Sequence, residues 1–185
     1  MLQLPEVKES NPNLVNFPKW IKRDETNFIV IHSSLTKGSD DEGVESMRSL
    51  HMRQGCVDVG YHFIIRRNGV TDLGRPIHAI GNHCPQVDEQ SVGICLIGGG
   101  DKNRKAKAPD YNIPQMESLA YICLSLVRIY PEAEIVGHNR FSPESKCPVF
   151  NIPDWWSEVS YELKQLHKTI HADQFPLFDE LQKED

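Results

Sequence analysis

Two short, almost uninterrupted apolar runs constrain this chain more than any other feature. Phe28 to Ile31 stops abruptly at His32, Ser33 and Ser34, and Ser91 to Ile97 stops at Gly98, Gly99 and Gly100. Runs this short and this apolar read as buried strands, the second as a central one. A polar cluster directly after a buried strand is where α/β and α+β proteins place chemistry. Between and beyond these runs the spacing predicts further elements. Val44, Met47, Leu50 and His51 share one face of a helix that starts at Asp40 and closes at Gly55. Tyr61 to Arg66 and Val70 to Leu73 flank Asn68-Gly69 as a hairpin. Pro114 opens the strongest helix, which carries Met116, Leu119, Ile122, Cys123, Leu126, Val127 and Tyr130 and ends at Pro131. Glu134 to Val136 is a short strand that delivers His138, and a last helix from Trp155 to Ile170 buries Trp156, Val159, Leu163 and Leu166. The glycines 98 to 100 lack a P-loop lysine or dinucleotide-binding spacing and read as a strand-ending turn.

At 185 residues the chain suits one domain with a substantial core. Its first 27 residues, with Pro5, Pro12 and Pro18, read as an irregular lead-in. The net charge of −6 sits mostly in the last stretch, because Asp154 to Asp185 holds 8 acidic and 3 basic residues. A nearly neutral main body argues against a nucleic-acid binder; the basic loop of Lys102, Arg104, Lys105 and Lys107 reads as solvated. No run approaches the roughly 18 apolar residues of a membrane span, and Glu6, Lys8 and Glu9 stand where a signal peptide needs an apolar core. Synthesis in the cytoplasm is the expectation. Five cysteines, an odd number without a C-x-x-C pair, predict reduced thiols, with Cys95 and Cys123 in the core.

His32 and His138 each follow a short apolar strand, and Cys147 lies nine residues beyond His138. Two imidazoles and a thiolate make a three-ligand zinc site whose fourth position stays open, the mark of a catalytic rather than a structural centre. Spacing alone leaves this reading beside a plainer one. Most histidines bind no metal, and a lone cysteine commonly packs as a small hydrophobe.

The residues around all three positions resemble the T7-lysozyme-like N-acetylmuramoyl-L-alanine amidases, a branch of the peptidoglycan-recognition and amidase superfamily. The matching segments are I-V-I-H-S-S around His32, V-G-Y-H-F-I-I-R-R-N-G around Tyr61, S-V-G-I-C-L-I-G-G up to Gly99, and G-H-N-R-F-S-P-E-S-K-C-P-V-F around His138 and Cys147. G-R-P-I-H-A-I-G-N-H, ending at His83, and the helix with its W-W pair extend the likeness over residues 28 to 156. The resemblance implies an α/β (mixed α+β) single domain with a central mixed β-sheet flanked by helices, and a surface cleft that holds zinc on His32, His138 and Cys147. It divides the chain into the lead-in 1–27, an amidase domain 28–156, and a C-terminal helix and acidic tail 157–185. It implies cleavage of the amide between N-acetylmuramic acid and L-alanine of the stem peptide. Zinc suits that reaction, since it supplies a nucleophilic water near neutral pH and polarises a carbonyl.

The family's oxyanion-stabilising tyrosine matches Tyr61, His62 reads as structural on the opposite face of the strand, and His83 is carried over as lining the substrate cleft. The family's catalytic lysine precedes the cysteine by two residues, in K-x-C-P. Here Ser145 stands in that place and Lys146 directly before Cys147, as a one-residue insertion would produce. The expectation is that a bulge in the loop brings the Lys146 ammonium back to the substrate and makes it catalytic, since a lysine gains little beside a zinc cleft unless it binds developing negative charge; without a bulge, Ser145 takes the inner place and Lys146 faces solvent. The family's acidic residue after the phenylalanine is Asn151 here. A monomeric phage or prophage endolysin acting on peptidoglycan after holin-type release is the resulting expectation. Two other classes compete with it. One is a non-enzymatic peptidoglycan-binding module, which would have no need of a thiolate at position 147. The other is a regulator of a phage RNA polymerase, a partner implied by resemblance alone.

Overall fold

The computed structural model describes residues 7–8, 20–37, 39, 42–101, 103, 105–106 and 109–167. In chain order the strands are β1 (Val7–Lys8), β2 (Phe28–Ser33), β3 (Thr36–Lys37), β4 (Phe63–Ile65), β5 (Thr71–Leu73), β6 (Ser91–Leu96), β7 (Gly99–Gly100) and β8 (Glu134–Gly137). The helices are α1 (Val44–Arg53), α2 (Ile113–Ile129) and α3 (Ile152–His167), with 3-10 turns at Asp88–Gln90 and His138–Arg140. The main sheet runs β1-β5-β4-β6-β2-β8. Only β4 and β5 pair antiparallel, as the predicted hairpin; the other neighbours are parallel. The fold is the expected α/β single domain with a central mixed sheet.

Every residue of β6 is buried, as expected of a strand with parallel neighbours on both sides and helices on both faces. One face carries Ile29, Ile31, Val92, Ile94 and Leu96 against Leu119, Ile122, Cys123 and Leu126 of α2. The other packs Ile64, Cys95 and Ile97 against Val44 and Met47 of α1. Burying such side chains contributes about 1.5–3 kcal/mol each, so these two layers hold the strand ends in place.

Local signals explain the boundaries. Asn112 caps α2 by accepting from Gln115 N at 3.1 Å, with Pro114 in the first turn. The start predicted for α1 at Asp40 lies outside the described residues; α1 begins at Val44, whose N–H donates to Asp72 Oδ2 at 2.8 Å. Asp72 is buried and also takes Arg66 Nε at 2.7 Å, so the hairpin fixes where α1 begins. Gly55 follows the end of α1 at φ +90°, the left-handed conformation that stops helices. Helix α3 starts three residues before the predicted Trp155, because Asn151 Oδ1 accepts from Asp154 N at 3.2 Å. Its buried anchor is Ile152, while Trp156 and Val159 are only half-buried. Leu163 and Leu166 have no described side-chain placement, and the acidic tail from 168 on lies outside the described residues, as do Lys102, Arg104 and Lys107.

Two other readings need correcting. The lead-in is not uniformly irregular: Val7–Lys8 adds an edge strand beside β5, and Lys22 bridges to Ala79. Arg23 ties that segment down by donating to Ala79 O at 2.7 Å and Ile77 O at 2.8 Å. The glycine run is more than a turn, since β7 pairs in parallel with β3 as a small second sheet. A Cβ at Gly100 would overlap the Leu35 carbonyl, which is why a glycine is needed there. No cysteine is bonded to another, and Cys95 and Cys123 are fully buried, as expected.

Candidate active site

The adjacent parallel strands β2 and β8 run in a register that sets Ile31 opposite Gly137, so the next residues, His32 and His138, leave the sheet side by side. Their rings lie 4.7 Å apart between centroids. Cys147 returns to them from the loop after β8: Asn139 N donates to Cys147 O at 3.0 Å, and Ser33 N donates to Cys147 Sγ at 3.1 Å. One nitrogen from each histidine and the sulfur lie within 4.8 Å of one another, with His32 Nδ1 and Cys147 Sγ 4.0 Å apart. Tetrahedral zinc with ordinary Zn–N and Zn–S bonds needs N to S separations of about 3.6 Å, a small contraction from this arrangement.

Electrostatics fit the same use. Burial holds the His32 imidazole well below its ordinary pKa, with His138 and His51 adding repulsion. Burial also lowers His138, although Glu144 and Asp88 oppose it. Both rings are therefore neutral, the state in which imidazole ligates a metal. Burial raises the Cys147 thiol, and the hydrogen bonds from Ser33 partly offset this. A cation must displace that proton on binding.

Tyr61 precedes β4 rather than lying in it, so strict alternation does not place its neighbours. Its half-buried ring stands 5.2 Å from His32 and 5.3 Å from His51, at the rim of the three donors. Burial first, then Cys95 and Cys147, raise the phenol well above its ordinary value, which keeps it a hydrogen-bond donor. His62 is structural as expected, but not because it faces away from Tyr61: both rings approach His83, at 5.8 and 6.3 Å. The resemblance placed His83 on the cleft wall. In the structure its side chain is 0 % exposed, and its Nδ1 lies 3.0 Å from His32 Nε2. Lys146 is exposed and lines a cavity of about 660 Å³ beside β8 and the start of α3, together with Asn139, Arg140 and Phe150. The three donors do not line that cavity. Ser145 lines the same cavity, and its hydroxyl also accepts from Cys147 N at 3.2 Å.

Sequence reasoning missed two contributors. One is the Ser33 amide, whose bond to sulfur no side-chain pattern encodes. The other is His51, read only as a position on the α1 stripe. Its Nδ1 accepts from Gly60 N at 2.8 Å while its ring supports Tyr61. An imidazole on an otherwise apolar helix face was the available signal.

The buried imidazoles carry a pH dependence of stability. His62 Nδ1 accepts from Gly93 N at 2.9 Å, so Nε2 carries the proton, 2.9 Å from Ala79 O, and no position remains for a second one. Burial lowers its pKa from 6.5 to about 3. Above pH 6.5 the folded and unfolded chains both leave this group neutral, and the full stability is present. As pH falls from 6.5 toward 3 the unfolded chain takes up a proton that the folded one refuses, and stability drops by about 1.4 kcal/mol per pH unit for this group. Urea midpoints measured from pH 7 to pH 4.5 should fall more steeply in the wild type than in His62→Gln. Parallel slopes would remove His62 as a cause.

The chain thus carries, on a mixed α/β sheet, a His/His/Cys cluster that could hold a metal ion, at the ends of adjacent parallel strands and with a tyrosine at its rim. Residues 22–149 match the family model described as N-acetylmuramoyl-L-alanine amidase, and the chain belongs to that family. It is 39% identical over 140 residues to an endolysin of Klebsiella phage KP32, covering 76% of this chain and 91% of the relative. It is 38% identical over 137 residues to the endolysin of Escherichia phage T7, covering 74% and 89%. Among solved structures it resembles the N-acetylmuramoyl-L-alanine amidase LysC from Clostridium intestinale, at 25% identity and TM-score 0.69 over 86% of this chain and 98% of that one. The chain is accordingly an amidase of this family, and no helix among the described residues is long and apolar enough to cross a membrane.

Proposed function

We propose that this amidase is a zinc-dependent phage or prophage endolysin that cleaves the amide between N-acetylmuramic acid and L-alanine in peptidoglycan. The observation that carries the reading is the convergence of His32, His138 and Cys147 within 4.8 Å, with both imidazoles held neutral by burial. Zinc on these donors would supply Lewis acidity toward the amide carbonyl and a water reactive at neutral pH. The rest belongs to the chain. His32 and His138 present bare nitrogens, the Ser33 amide helps Cys147 carry negative charge, and the Tyr61 hydroxyl donates to the carbonyl oxygen as it gains charge. Residues 28–156 constitute the catalytic domain, active as a monomer on the cell wall after holin-type release.

The retained thiol favours this reading over a module that only binds peptidoglycan, because binding does not need a soft metal ligand. Digestion of purified peptidoglycan followed by mass spectrometry tests it directly. Free glycan chains and free stem peptides are expected, with activity lost to chelator and restored by zinc. Intact muropeptides would refute the assigned bond, and lysis unaffected by chelator would refute the metal.

Lys146 is expected to be the lesser of the two loop side chains at the reaction centre. Both side chains line the neighbouring cavity, but Lys146 is exposed, whereas the half-buried Ser145 also bonds the Cys147 amide. Lys146→Ala should then change kcat less than about threefold, and Ser145→Ala should lower it further and weaken zinc retention. A large kcat loss in Lys146→Ala at unchanged zinc content would instead show that the loop brings the ammonium to the substrate.

A further inference from the structure

His83 occupies a place that neither packing nor substrate contact explains. Its ring lies edge-on to His32, with centroids 5.0 Å apart, on the side away from Cys147. Two glycines make the room. A Cβ on Gly81 or on Gly93 would overlap the His83 ring, so the sheet gives up a side chain at a fully buried position of β6 to let an imidazole lie flat against it. The backbone beneath is pinned as well: Asp88 Oδ1 accepts from both His83 N and Cys84 N at 2.8 Å. The outcome is a 3.0 Å contact between His83 Nδ1 and His32 Nε2.

We infer that His83 is a positioning residue, which sets the tautomer and the ring angle of His32 so that Nδ1 points bare at Cys147 and His138. The inference rests on the metal reading of those three residues. A neutral imidazole carries one N–H. If Nδ1 is the ligating atom, the hydrogen is on Nε2 and is donated to His83 Nδ1. The proton of His83 then lies on its own Nε2, 3.4 Å from Ser91 Oγ and 3.8 Å from Asp88 Oδ1. One chain of hydrogen bonds thus fixes two tautomers and ends at the Ser91 hydroxyl, with the Asp88 carboxylate nearby at 3.8 Å, the kind of outer support that orients metal-binding histidines. Without an acceptor at this point, the buried Nε2–H of His32 would be unsatisfied. The ring could then flip, presenting a protonated nitrogen to the cation.

Two variants separate this role from simple packing. The Asn side chain places Oδ1 close to where the His Nδ1 sits, so His83→Asn keeps an acceptor; His83→Leu has a similar size and keeps none. Cobalt(II) and zinc titrations of the purified apoproteins, with the visible cobalt spectrum recorded, read the site without any substrate. His83→Leu should bind both metals roughly 10–100-fold more weakly than wild type with an altered cobalt spectrum, and His83→Asn should recover most of the loss. Equal affinity in all three proteins, or equal loss in both variants, would overturn the inference. Wild type that binds neither metal would overturn the metal reading itself, a result distinct from either. Should His83→Leu fail to fold, the imidazole 15N spectrum of the zinc-loaded wild type still decides. Protonation of His32 on Nε2 and of His83 on Nε2 is expected, and the opposite tautomer on either ring excludes the role.

Discussion

Cys147→Ser should abolish lysis and zinc retention while leaving the fold in place. The thiol is 4 % exposed and receives the Ser33 amide at 3.1 Å; a serine oxygen fits the same space and accepts the same hydrogen bond. Stability of the metal-free protein should therefore change by no more than about 1 kcal/mol. Ligation is different. A hydroxyl does not ionise near neutral pH and is a poor zinc donor, so the site drops to two imidazoles. Metal analysis after dialysis against a weak chelator should find about one zinc per wild-type chain and almost none in the variant, with peptidoglycan turnover at background. A variant that kept both its zinc and its activity would remove Cys147 from the ligand set.

Tyr61→Phe should retain zinc and lower kcat by roughly 10²–10³, the range for loss of one oxyanion donor. The ring stays wedged between His32 and His51, at 5.2 and 5.3 Å, whichever residue carries it, so binding and folding should hardly move. Because the phenol pKa lies well above its ordinary value, the hydroxyl keeps its proton through the working range, and its contribution should not titrate below about pH 9. Steady-state kinetics with metal content measured in parallel test this. A fall in kcat and zinc together would make Tyr61 a support for His32 instead, and full activity would make it packing alone.

The parts of the molecule that were legible in the sequence are those written in hydrophobic pattern. The runs in β2 and β6 could only be buried strands, and the α2 stripe with Pro114 ahead of it could only be a helix. Placing His32 and His138 at strand ends followed from where those patterns stopped. The resemblance added Cys147 and Tyr61, which spacing alone left among other readings. What stayed hidden depends on contacts between distant segments. Helix α1 begins where Asp72 receives the Val44 amide, a partner 28 residues away. The edge strand at Val7–Lys8 consists of backbone pairing with β5 and has no apolar signature. The resemblance made His83 a cleft residue; its buried slot is made by the absence of side chains at Gly81 and Gly93, and an absence has no pattern that could have corrected this. Lys146 and Ser145 differ by one position in the chain, and the turns after His138, not their order, decide which of them faces the ligand loop.

The alignment of β2 with β8 carries a consequence for how such a chain tolerates insertions and deletions. His32 and His138 meet only because Ile31 is opposite Gly137, and side chains along a strand alternate between faces. Adding residues to the surface loop around Asp101 and Asn103 leaves that pairing untouched. One residue gained or lost inside β8 would send the second imidazole to the α2 side of the sheet, with every donor still present in the sequence. Length variation in related chains should therefore accumulate in the loops and be purged from this one short edge strand.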